Sequence, residues 1–114
     1  MVRQTRKHPR FKLRIPVEVH TEASDTPIRC STSDICLGGC YIENLYPLPV
    51  GTALELKLDL ASDTLLIFAR VVTCDPQVGN GIEFTRILPE DLEELAHYLD
   101  SPDQQPFLEP TRTF

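Results

Sequence analysis

Two stretches of this chain carry side chains with chemistry to offer. The first is RQTRKHPRFKLR, residues 3 to 14, with six basic residues (Arg3, Arg6, Lys7, Arg10, Lys12 and Arg14) and no acid. The hundred residues that follow hold five basic side chains against seventeen acidic ones, and the formal net charge is −6. A surface this acidic repels anions, so a local basic cluster is what anion binding would require. Arg6 and Arg10 stand four apart, and a guanidinium is planar, permanently charged and forked to fit phosphate oxygens. The second stretch is STSDICLGGCYIEN, residues 31 to 44, where Asp34, Cys36, Gly38 and Gly39 fall between two candidate strands. Asp34 is a hydrogen-bond acceptor, and glycines allow either a sharp turn or close approach of a ligand to the backbone. By itself this segment also reads as a plain β-bulge or loop, with Asp34 capping a turn.

The elements that must hold these residues follow from periodicity. In FKLRIPVEVH, residues 11 to 20, Phe11, Leu13, Ile15, Val17 and Val19 alternate with polar positions, and Pro16 on the polar phase suggests an edge or a bulge. ALELKLDL (53–60) alternates in the same way. Shorter strands are predicted at 27–33, 39–44 and 64–74, and a last one at 81–87 entered through the turn signal VGNG. Residues ASD between 60 and 64 suit a short hairpin. Many short strands separated by turns indicate an all-β barrel or sandwich. One helix is predicted from Pro89 to about Asp100, with acids in its first turn and Leu92, Leu95, Ala96 and Leu99 on an apolar stripe.

At 114 residues the chain is expected to form one domain over residues 1–100. Residues 1–10 have no apolar periodicity and are expected to be flexible without ligand, and the Pro- and Gln-rich tail 101–114 to be loosely ordered. No run reaches the ~18 apolar residues that would cross a bilayer, and the basic start leads into alternating residues, not an apolar signal core. A cytoplasmic protein with reduced cysteines is expected. Cys30, Cys36, Cys40 and Cys74 have poor spacing for zinc and are better read as small buried hydrophobes. His8, His20 and His97 complete no catalytic set, so no enzyme activity and no cofactor are expected. Neither a recognition helix nor an aromatic platform for RNA accompanies the basic segment, which argues against binding a nucleic acid polymer.

Together the two stretches resemble a known family. Arg6-Lys7-His8-Pro9-Arg10 is an RxxxR motif just before the first strand, and Asp34-Ile35-Cys36-Leu37-Gly38 fits the spacing of [D/N]xSxxG. These are the motifs of the PilZ domain, a bacterial receptor module for cyclic di-GMP, and the likeness extends to the late VGNGIEF strand and the closing helix. The resemblance implies a six-stranded antiparallel β-barrel with one C-terminal α-helix. It implies cyclic di-GMP as ligand, with Arg6, Arg10, Asp34, Cys36, Gly38 and Gly39 around it, and a downstream protein partner. Arginine would take the phosphates or guanine O6 and N7, and Asp34 the N1–H and N2–H₂ edge of guanine. The alternative is a PilZ-like interaction module that ignores the nucleotide. Cys36 departs from the family's usual Ser; a thiol is the poorer hydrogen-bond partner, and the loss is expected to be roughly 0.5–1.5 kcal/mol.

Overall fold

A computed structural model describes residues 9–100. Six strands, β1 (Pro16–Thr21), β2 (Ser24–Cys36), β3 (Gly39–Glu43), β4 (Ala53–Asp59), β5 (Thr64–Asp75) and β6 (Gly79–Ile87), precede one helix, α1 (Pro89–Asp100). All pairings are antiparallel and close a barrel in the order β1-β2-β3-β6-β5-β4. The expected six-stranded barrel with a C-terminal helix is the fold found. Inward residues repeat with a period of two, as in Leu54, Leu56 and Leu58 on β4 and Leu65, Ile67, Ala69 and Val71 on β5. Leu95 and Leu99 of α1 bury themselves in the same core. The helix begins as its sequence dictates, with Pro89 first and the Leu88 carbonyl accepting from the Leu92 amide at 2.9 Å.

Three local expectations are corrected. The strand predicted over 11–20 is assigned as β1 only from Pro16, because proline brings no amide to a ladder and sits best as the first residue of a strand. Upstream, Phe11, Leu13 and Ile15 remain buried, and Phe11 and Ile35 exchange both backbone hydrogen bonds, at 2.9 and 3.0 Å. The closed barrel also gives Pro16 no edge to guard; it lies opposite Ser31. The turn predicted at VGNG falls earlier, over Pro76–Val78, with Gln77 at φ 63°. Asn80 is instead a fully buried strand residue. Its Oδ1 accepts from the Leu48 amide at 2.9 Å, and its Nδ2 donates to the carbonyls of Leu48 and Thr73 at 2.9 and 3.1 Å. It ties the β3–β4 loop to the wall, a complete use of a buried amide.

β2 contains a bulge that sets the site. Thr32 pairs with Ile42 but Asp34 pairs with Tyr41, so Ser33 is the extra residue. Thr32 and Ile35, three apart, therefore both point into the core, and Asp34 and Cys36 point outward together.

Candidate functional site: the outer wall beside the first strand

The site is assembled from three pieces of chain. Leu37 and Gly38 form a two-residue turn between β2 and β3, closed by the Cys36–Gly39 pair. The Gly38 carbonyl accepts from the Phe84 amide at 2.9 Å, which anchors the turn to β6. The third piece is the segment before β1. Thr32 holds it in place: Thr32 Oγ1 accepts from the Ile15 amide at 2.9 Å and donates to the Leu13 carbonyl at 2.6 Å. Because Phe11 bridges Ile35 with its side chain inward, Arg10 falls on the outer face, against Asp34 and Cys36.

There Arg10 is only 3 % exposed, and its Nη2 forms an ion pair with Asp34 Oδ1. Its Nη1 donates to Cys36 Sγ at 3.7 Å, and the Gly38 amide approaches the same sulfur at 3.4 Å. Asp34 is 21 % exposed, and no described residue donates to its Oδ2. The site thus holds a clamped guanidinium, a carboxylate with one oxygen open, and a turn whose amide points at the thiol. Cys36 is 2 % exposed, wedged between these partners.

The sequence-predicted residues Arg10, Asp34, Cys36, Gly38 and Gly39 come together here, and Arg6 lies outside the described residues. So do the rest of the segment expected to be flexible, apart from Pro9 and Arg10, and the tail 101–114. Arg10 is packed into the wall, so that segment has a fixed end at residue 10. Gly39 has a structural duty of its own: a Cβ there would stand 2.2 Å from the Ile82 carbonyl oxygen, because β3 and β6 approach closely. Arg14, also from the basic stretch, pairs with Glu43 at 3.0 Å on the exposed surface.

Two contributors escaped the sequence reading. Thr32 looked like one polar residue among several. Tyr41 is the other, and its position could have been counted: closing the hairpin at Leu37–Gly38 sets Asp34 opposite Tyr41, as observed. The Tyr41 hydroxyl donates to Asp75 Oδ2 at 2.5 Å. Its phenol is pushed up to about 12, first by desolvation and then by that hydrogen bond. The cysteines are all free. Burial pushes Cys30 up to about 11 and Cys40 higher still. Among the described residues no His, Cys, Asp and Glu side chains gather in threes as a metal site, and no helix is long and apolar enough to cross a membrane.

Comparison with known proteins identifies the architecture. The PilZ domain family model matches residues 4–101. The chain belongs to the PilZ domain family. Its fold is similar to the PilZ domain of CeSA from a cellulose-synthesizing bacterium, at 21% identity and TM-score 0.63, covering 77% of this chain and 91% of that one. It is similar to the Bacillus subtilis inhibitor of motility MotI/DgrA, at 20% identity and TM-score 0.70, over 85% of this chain and 50% of that one. It also resembles the PilZ domain of YcgR from Escherichia coli, solved with c-di-GMP, at 15% identity and TM-score 0.68, covering 82% and 87%. At these identities the likeness is one of fold. No curated protein matches the sequence.

Proposed function

We propose that this chain is a cyclic di-GMP receptor and adaptor domain, which signals through its N-terminal segment. The observation that carries the reading is the meeting of Arg10, Asp34 and the Cys36–Gly38 turn on one outward patch, from segments 24 residues apart. Arg10 fixes Asp34 through Oδ1, and Oδ2 is left to accept the N1–H and N2–H₂ donors of a guanine. Arg6, four residues upstream, supplies a second guanidinium for phosphate. In an acidic protein these two arginines provide the attraction a dianion needs. Cys36 is small enough for the turn, and its sulfur takes weak donors where a hydroxyl would bond more strongly.

The proposed output rests on the fixed end of the N-terminal segment at Arg10. Binding fixes residues 1–8 against the wall next to Arg10 and so changes the surface a protein partner meets. A cleft next to the turn, walled by Leu37, Phe84, Ile87 and Leu92 with Arg86 at its rim, offers such a surface. Isothermal titration of the whole chain with cyclic di-GMP tests the reading. Saturable binding lost in both Arg6→Ala and Asp34→Ala is expected; no heat at saturating nucleotide overturns it and leaves the interaction-module reading. Amide exchange in residues 1–8 is expected to slow on adding the nucleotide, and unchanged exchange removes the ordering step.

A further inference from the structure

Tyr41 stands next to Asp34 on the outer face, and what lies under its ring is unusual. Across the sheet the outward positions run Asp34 on β2, Tyr41 on β3, Gly81 on β6 and Thr73 on β5. Two residues along, β6 again offers no side chain, at Gly79. The tyrosine ring extends over that gap: a Cβ at Gly79 would lie 2.9 Å from Tyr41 Cε1. At the far end its hydroxyl bonds Asp75, the residue paired with Gly79. The ring therefore reaches from β3 across β6 to β5, rooted at one end and hydrogen-bonded at the other.

One role of such a ring is to cover glycine backbone, which stabilises a sheet. That role engages the face turned to the sheet, and the residue as a whole stays partly exposed. The neighbouring carboxylate gives the other face a use. Arg10 holds Asp34 from the side of the N-terminal segment, through Oδ1, and the residue on the other side of Asp34 is Tyr41. A planar group that offers hydrogen-bond donors to Oδ2 from that side must lie along the tyrosine. Every purine has a π-face, and a ring already fixed at its hydroxyl loses little conformational entropy on being stacked.

We propose that Tyr41 is a binding residue of this site, the stacking platform for the guanine whose edge Asp34 accepts. The assignment rests on the cyclic di-GMP reading above and adds a residue that neither motif contains. Asp75 acts as the positioning residue that fixes the ring, and Gly79 leaves room for it. The division of labour is simple: Asp34 selects the guanine edge, and Tyr41 supplies attraction that any base would share.

The chain has three tyrosines and no tryptophan, so tyrosine emission reports on the site directly. Titration of the whole protein with cyclic di-GMP is expected to quench that emission, and Tyr41→Phe to abolish most of the quenching while binding within about threefold of the parent, because the ring remains. Tyr41→Leu, which keeps apolar cover over the glycines but has no π-face, is expected to weaken binding about tenfold by calorimetry. Undiminished quenching in Tyr41→Phe, or parental affinity in a folded Tyr41→Leu, overturns the proposal. If Tyr41→Leu fails to fold, the quenching arm decides. Loss of binding by the parent protein itself would remove the receptor reading and this one with it, whereas parental binding with an indifferent Tyr41 removes only this one.

Discussion

Arg10 and Asp34 are joined by an ion pair although 24 residues separate them in the chain, and the arginine is the more deeply buried of the two. The pair pins the middle of the basic stretch to the bulged strand, so the same contact serves the fold and the site. A half-broken pair leaves an uncompensated charge in a poorly hydrated place, which costs more than the intact pair contributes.

Arg10→Ala and Asp34→Ala are each expected to destabilise the domain by about 1–3 kcal/mol, read from urea unfolding at neutral pH. The double variant is expected to lose clearly less than the sum, since each single change already removes the contact. Strict additivity would show that the pair contributes nothing. For the nucleotide, Lys12→Ala is expected to cost much less affinity than Arg10→Ala, because an exposed lysine adds mainly screened attraction.

Cys36→Ser is expected to hold or tighten cyclic di-GMP binding, by up to roughly tenfold if a full neutral hydrogen bond is restored to the Gly38 amide or Arg10. Weaker binding in calorimetry would show that the sulfur's larger radius fits the turn better. With only 2 % of the residue exposed, Cys36 is also expected to resist alkylation in the folded protein. Rapid labelling at neutral pH would contradict its burial.

Gly39→Ala is expected to destabilise the fold by about 2–3 kcal/mol, because the new methyl meets the backbone carbonyl of Ile82, which no rotamer change can move aside. Gly51→Ala serves as the contrast: no atom lies within 4 Å of the added carbon, and its cost comes from φ +93° alone. The Gly39 effect should appear in the urea midpoint with or without nucleotide.

Stability is expected to be level up to about pH 9 and to fall above it. Cys30 is pushed from 9.0 up to about 11 by burial, so on raising the pH the unfolded chain loses that proton first. Stability present below pH 9 is therefore lost progressively until the folded thiol ionises as well, near pH 11. Cys40 and Tyr41 shift in the same direction and extend the loss. Urea midpoints between pH 8 and 11 check this, and Cys30→Ala is expected to flatten the slope.

The barrel was legible because its strands alternate cleanly: Leu54, Leu56 and Leu58 face inward with charged neighbours facing out, and Pro89 with its acids announces the helix. Closure was not legible from alternation, since a sandwich and a barrel share that pattern; the expectation of a barrel came from the family likeness. Asn80 misled because Asn-Gly is a turn signal locally, and only Leu48 of the β3–β4 loop and Thr73 of β5 supply the three hydrogen bonds that draw it into the wall. At the site, the residue types in RxxxR and DICLGG could be read directly. The clasp between Arg10 and Asp34 could not, because it depends on the register of Phe11 against Ile35.

The bulge at Ser33 lets β2 change the phase of its alternation without losing its register on β3. Upstream of it Thr32 turns inward; downstream Ile35 does, and Asp34 and Cys36 turn out. Strict alternation through Ser33 would instead send a carboxylate into the core and isoleucine to the surface. Loss of Ser33 itself would leave Asp34 directly after Thr32 in plain alternation, with both faces as they are. The site's outward carboxylate therefore depends on Ser33 being absorbed as an extra residue, and it survives the deletion of that residue.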